Sequence, residues 1–351
     1  MTFATPRDIP QPNNFNIIRL FLAFYIVLVH FAALTDTETS LLIVRGHDCV
    51  CGFFVISGFL IYSSYCRSSS LKSYLEKRAR RILPSYIFIV VLFAVALFFV
   101  SSVPVEEYFG RHWLKYLGSN LAFCNFVEPT LPGVFADNGM TAVNGSLWTI
   151  KIELTAYVML PVCVWLCRKI RMNPFIFFGA VILLSIAYRI GCNIMFQRTG
   201  DGHYLTLARQ IGGLTAYFVV GMMMYELLDY VLRYKWQLFV IGLLAFIGAY
   251  CAPVTATVVK PFALGCIIVP AAFIGRWGVW LGAADISYDM YLLHFPVIQL
   301  VVHFRLPDRI GTIPSLMVVI AVVILLSCLT WHFIGEPFLR RKKLTSDKPR
   351  K

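Results

Sequence analysis

Apolar segments long enough to cross a bilayer follow one another almost from end to end of this chain. No hydrophilic block between them is large enough to fold alone. Crossing the hydrocarbon core takes about 20 residues of helix, somewhat fewer or more with tilt. On that criterion spans are predicted near 15–35, 49–66, 84–103, 146–167, 173–192, 207–228, 236–254, 261–279, 285–303 and 314–334. The second, eighth and ninth are short or carry glycine and polar residues. Only 14% of residues are charged and 59% are hydrophobic, with a mean hydropathy of +0.73. A soluble domain carries about 25% charged residues. The expected fold is all-α: a polytopic membrane helix bundle of about ten transmembrane helices with both termini cytoplasmic. It forms a single domain over 1–351, with an amino-terminal tail to about residue 14 and a basic tail over 336–351.

The net charge of +13 suggests nucleic-acid binding until its location is considered. With the amino terminus in the cytoplasm, 21 of the 31 lysines and arginines fall on the inner side. That is the bias that orients membrane proteins, so no nucleic-acid partner is expected. Ala32-Ala33 after an apolar run resembles a signal-peptide end, but Arg19 inside the run argues for an uncleaved span. The ten cysteines are mostly scattered singly in apolar runs and read as small hydrophobes. Cys49/Cys51 and Cys163/Cys167 lack the second pair of a metal site, and no metal is expected. The longest outer loop, about 104–145, can cover a mouth but is too short for a domain.

Four stretches carry candidate chemistry. In the first span Arg19 and His30 lie eleven residues apart, about 16 Å along a helix axis. Ionisable groups in hydrocarbon cost roughly 2.5–3.5 kcal/mol and tend to be kept for a task. The spacing suits a long ligand whose charged head is held at the surface while its reactive end is delivered inside. An arginine snorkelling to the headgroups and a structural histidine would look the same. The second stretch, Tyr74 to Tyr86, packs Lys77, Arg78, Arg80 and Arg81 into five residues. Topology alone accounts for these charges, yet Arg78 and Arg81 share a face if the run is helical, and paired guanidiniums clamp phosphate.

In the third stretch, Asn144 to Tyr157, Glu153 lies about two turns into a span and needs a cation or a proton donor there, whether structural or functional. Asn144-Gly-Ser146 also matches the N-glycosylation pattern. In the fourth, Tyr288, Tyr291 and His294 recur every three residues at the opening of the ninth span, a polar-aromatic stripe facing a partner or a cavity. The chain contains no G-x-S-x-G elbow, no H-E-x-x-H and no phosphate loop ending in Gly-Lys, which disfavours serine hydrolase, zincin and P-loop chemistry.

Together these segments resemble the membrane acyltransferase-3 family, the O-antigen and exopolysaccharide acetyltransferases and their relatives. Arg19-x10-His30 matches its arginine/lysine-to-histidine pair, and Phe53-Phe-Val-Ile-Ser-Gly-Phe-Leu60 its F-F-x-x-S-G-F-L signature. Lys77-Arg78-Ala-Arg-Arg81-Ile-Leu-Pro84 is similar to its R-x-x-R segment, and Ser146-Leu-Trp-Thr-Ile-Lys-Ile-Glu153 to its S-L-W-x-x-x-x-E. Ile286-Ser-Tyr-x-x-Tyr-Leu-Leu-His294 and Gly335-Glu336-Pro337-Phe338 look like its closing motifs. One departure is Cys51, where many relatives carry an acidic residue; Asp48 lies three residues earlier. The chain ends soon after the last span, and a single-module enzyme is expected.

The resemblance implies transfer of an acyl group, usually acetyl, from cytoplasmic acetyl-CoA or another acyl-CoA to a hydroxyl of a lipid-linked or surface glycan. The expected setting is a bacterial inner membrane, among membrane lipid. Arg19, Arg78 and Arg81 would hold the phosphates of the co-substrate. His30 would act as general base or carry the acyl group. Glu153 would orient His30 or bind sugar hydroxyls, and Ser57, Trp148, Tyr288 and His294 would line the substrate path. Three alternatives stand beside this: a transporter or flippase of lipid-linked sugars, the other class of multi-span O-acyltransferase with a buried histidine, and an acyltransferase with a non-glycan acceptor. The two halves of the chain show no convincing repeat of the kind transporters usually carry.

Overall fold

A computed structural model describes residues 5–37, 44–275, 277–278 and 285–340, and the structural statements below concern these. Arg276 and residues 341–351, most of the expected basic tail, lie outside the described residues. The described residues are 78% helical, and no strand occurs among them. The helices are α1 (Phe15–Leu34), α2 (Gly46–Cys66), α3 (Leu71–Ala96), α4 (Val105–Tyr108), α5 (Arg111–Leu121), α6 (Trp148–Lys169), α7 (Pro174–Thr199) and α8 (His203–Ala208). They continue with α9 (Ile211–Glu226), α10 (Leu228–Arg233), α11 (Lys235–Cys251), α12 (Pro253–Ala271), α13 (Ser287–His303), α14 (Leu306–Ile310), α15 (Thr312–Thr330) and α16 (Glu336–Arg340).

Among the described residues six helical stretches are long and apolar enough to cross a membrane: α1, α2, Leu71–Val100, α6, α7 and Thr312–Leu339. The expected spans near 207–228, 236–254 and 285–303 overlap α9, α11 and α13, of 16, 17 and 17 residues, while the helix near the expected 261–279 is α12, Pro253–Ala271, which has 19 residues and begins eight residues earlier. At 1.5 Å per residue these cover about 24–28 Å, slightly under the hydrocarbon thickness. The long helices display large apolar side chains on their outer faces, among them Val158, Trp165, Ile176, Leu183, Leu184, Ile313 and Met317. Such surface belongs against lipid rather than water. The chain is a multi-pass membrane protein.

The described residues divide into two compact units. The first comprises 1–22, 47–75 and 152–282. In it α11 packs on α12, and α7 on α9. Asn173 caps α7 by accepting from the Phe175 N–H at 2.9 Å, with Pro174 at the first helical position, and Gly200 ends the helix at φ 70°. Helices α2 and α9 touch backbone to backbone. A Cβ on Gly58 would fall 1.9 Å from the Phe218 carbonyl oxygen, and one on Gly221 would fall 2.1 Å from that of Val55. Only glycines allow this approach, the usual device of helix pairs in lipid.

A buried ion pair ties α2 to α12 in the same unit. Lys260 Nζ donates to both Asp48 oxygens at 2.9 and 2.8 Å, and Tyr250 Oη donates to Asp48 Oδ2 at 2.5 Å. Both charged side chains are almost fully buried. Asp48 is thus committed to a lysine of its own unit.

The second unit comprises 23–46, 76–151 and 283–351. Here α13 packs on α15, and nearly every residue of α13 is buried. The basic stretch from Tyr74 to Tyr86 is helical and lies inside α3, about one turn from its start, because lysine, arginine and leucine are strong helix formers.

Removing one partner of a buried pair strands the other charge, at about 3–5 kcal/mol. Lys260→Met should therefore lower the thermal unfolding temperature in detergent substantially. Asp48→Asn/Lys260→Met should recover most of the loss. A single variant as stable as the parent would contradict the assignment.

Candidate active site

Within the second unit the site begins with a proline. Pro296, inside α13, has no N–H to offer the carbonyl four residues back, at Leu292. Asn144 supplies the missing donor, its Nδ2 reaching Leu292 O at 2.8 Å. The Asn144 carbonyl oxygen in turn accepts from Ser146 Oγ at 2.6 Å and Ser146 N at 3.1 Å. Between them Gly145 lies so close to Phe295 that a Cβ would meet the ring at 2.7 Å. Tyr291 Oη donates to Ser146 O at 3.0 Å. Farther along, Asn138 Nδ2 donates to Gln299 Oε1 at 2.8 Å, and Gln299 Nε2 to the carbonyls of Met140 and Ala142 at 2.6 and 2.7 Å. The irregular chain before α6 is thus stitched along α13 from Tyr291 to Gln299. Asn144 is buried and serves α13, so its match to a glycosylation pattern is coincidental.

His294 lies within that braced stretch and has no exposed surface. Its Nε2 is 2.8 Å from His30 Nδ1, and its Nδ1 is 3.3 Å from Met290 O. The two ring planes differ by 23° with centroids 4.9 Å apart, which places the short N···N contact at the ring edges. Phe295 presents its ring edgewise to His30 at 5.5 Å. His30 itself is half-buried, and His294 is its one hydrogen-bond partner among the described residues.

Nearer the start of α13 lies the arginine face. Because α3 is helical throughout, Arg78 and Arg81 stand one turn apart on one side of it. Arg81 Nη2 donates to Asp285 Oδ2 at 2.6 Å, and its guanidinium lies 5.2 Å from the Trp331 ring and 6.0 Å from that of Tyr288. Ser287 Oγ braces Asp285 Oδ1 at 2.5 Å. Tyr288 Oη donates to Ile82 O at 3.3 Å. A guanidinium has five N–H donors in a fixed fork, and the bonds to Asp285 use one nitrogen. Asp289, one turn on, is buried with Oδ1 lacking a hydrogen-bond partner.

The structure therefore gathers His30, Arg78, Arg81, Trp148, Tyr288 and His294 in the second unit, and Arg19, Ser57 and Glu153 in the first. Arg19 and His30 share α1 as their spacing suggests. Glu153 accepts from Ser57 Oγ at 3.0 Å and from Tyr157 Oη. The group on the His30 ring is His294, expected only along the substrate path. Sequence reasoning also missed Lys260 and a second polar cluster in the first unit. There Arg189 donates to His47 Nε2 at 3.0 Å and to Tyr217 Oη at 3.1 Å, with Cys51 Sγ 3.5 Å from His47.

Comparison with known proteins gives the class. A family model described as an acyltransferase domain matches residues 13–332, and the chain belongs to that family, acyltransferase-3. It is an acyltransferase. It is 26% identical over 344 residues to an "O-acetyl transferase" of Shigella phage Sf6, covering 96% of this chain and 99% of that protein. It is 30% identical over 170 residues to "Nodulation protein 10" of Rhizobium leguminosarum bv. viciae, 45% of each. No solved structure matches the chain significantly. These relationships support an O-acetyltransferase.

The Asn144–Pro296 arrangement makes a thermodynamic prediction. Asn144→Leu should leave the Leu292 carbonyl unsatisfied and cost about 1–3 kcal/mol. Adding Pro296→Ala restores the helical N–H, so the double variant should be more stable than Asn144→Leu alone. Unfolding in detergent measures both; additive losses would refute the explanation.

Proposed function

We propose that this chain is a membrane O-acetyltransferase that moves an acetyl group from cytoplasmic acetyl-CoA to a hydroxyl of a lipid-linked or cell-surface glycan. The observation that carries the reading is the His30 ring. One nitrogen is held by a fully buried histidine, while the other has no hydrogen-bond partner among the described residues. A neutral imidazole so placed is suited to general-base catalysis. The Sf6 phage relative, similar over almost its whole length, bears a name that supports the acetyl donor.

Coenzyme A is an elongated anion with phosphates at one end and a thioester at the other. Arg78 and Arg81 on one face of α3 suit the phosphates, and the family resemblance assigns Arg19 the same role. Asp285 holds the Arg81 fork in one orientation. As the acceptor oxygen attacks the thioester carbonyl, His30 takes its proton. The tetrahedral centre then expels the CoA thiolate, which recovers that proton as the free thiol. Glu153, with its hydroxyl donors Ser57 and Tyr157, is a binder of sugar hydroxyls in this scheme. Trp148 and Tyr288 line the path.

The orientation belongs to the same proposal. Both termini face the cytoplasm, about ten segments cross a bacterial inner membrane, and the basic start of α3 lies at the inner face. Helices α9, α11, α12 and α13 then count as spans despite their length, with locally thinned lipid or non-helical ends making up the difference.

His30→Ala, inserted at the parent level, should abolish acetylation of the host glycan, read by mass spectrometry. Arg19→Ala should raise the apparent KM for acetyl-CoA more than that for the acceptor. Retained activity in the first variant removes His30 from the mechanism, and the opposite KM pattern in the second removes the clamp.

A further inference from the structure

We infer that His294 is the positioning residue of the transfer: through a chain of two hydrogen bonds it fixes His30 in the tautomer whose Nε2 carries the lone pair. The inference rests on the reading of His30 as general base, and deepens it.

Met290 O can only accept, and His294 Nδ1 faces it at 3.3 Å, so Nδ1 carries the hydrogen. In a neutral imidazole the other nitrogen is then a lone pair. That nitrogen, His294 Nε2, meets His30 Nδ1 at 2.8 Å, so His30 Nδ1 must donate. A neutral His30 is left with its lone pair on Nε2, the position a base needs. The reverse assignment keeps a hydrogen bond between the rings, donated now by His294 Nε2, but leaves the Met290 carbonyl oxygen facing the bare lone pair of His294 Nδ1.

The arrangement does what a carboxylate does behind the histidine of a serine hydrolase: it selects a tautomer, orients the ring and accepts from it when it becomes charged. A neutral imidazole does this without placing a second full charge in hydrocarbon, where it would be costly. The scaffold is rigid where this matters. His294 has no exposed surface, and the Leu292 carbonyl two residues before it is tied to Asn144. Phe295, the next residue, closes against both His30 and Gly145. His294 touches neither reacting group in this account; it acts through His30.

The test replaces His294 in the full-length protein and follows transfer from radiolabelled acetyl-CoA to the glycan already present in native membranes. His294→Phe fills the space but accepts nothing; should it fail to insert, His294→Leu takes its place. His30 then samples both tautomers, and kcat should fall by roughly 10- to 1000-fold, less than the full contribution of about 10⁴ that a general base can make. The KM for acetyl-CoA should stay within about twofold, since the phosphate end is untouched. His294→Gln places an amide oxygen about where Nε2 lies, and should recover at least about tenfold of the lost kcat by again accepting from Nδ1.

Parent-level kcat in His294→Phe, or equal losses in His294→Phe and His294→Gln, overturns the inference. So does a raised KM with unchanged kcat, which would mark His294 as path lining. Any of these alongside an inactive His30→Ala leaves the general-base reading standing. An active His30→Ala removes that reading itself.

Discussion

The hydrogen bond between His30 and His294 is the contact on which this account depends. Inside a bilayer no water can repair a mispaired polar group, so each buried donor and acceptor needs a protein partner. That constraint usually works against reactive groups. Here it selects one: the requirement that Met290 O, both His294 nitrogens and His30 Nδ1 be satisfied fixes every proton along the line and leaves a single basic nitrogen.

The same requirement explains the surroundings. A proline in α13 frees one carbonyl, an asparagine from the preceding irregular chain answers it, and a glycine beside that asparagine lets the chain lie against Phe295. These groups brace the turn of α13 that carries His294. In the first unit the rule appears as ion pairing, Asp48 with Lys260, and as glycine contacts between α2 and α9. Glycine in F-F-x-x-S-G-F-L is therefore a packing residue: Gly58 admits the backbone of α9 where any side chain would collide.

Much of the fold was readable because hydropathy is local. The long spans, and the placement of Arg19 with His30 on one helix, followed from spacing alone. The start of α3 was harder, since a dense run of charges reads as a loop although its residues favour helix. Lys260 was invisible as a core residue, because a lone lysine at the edge of an apolar run reads as an anchor, and its partner lies 212 residues away. The partner of His30 is 264 residues distant. Tyr288-x-x-Tyr291-x-x-His294 announced a polar stripe, but not which member of it would meet the imidazole.

The tautomer of His30 is the most direct test. In protein labelled with 15N-histidine and reconstituted into lipid, solid-state NMR distinguishes a protonated ring nitrogen from a bare one, and the signals absent from His30→Ala identify those of His30. The account predicts a protonated Nδ1, hydrogen-bonded to His294, and a bare Nε2. A His30 protonated at Nε2 in the neutral enzyme would contradict it.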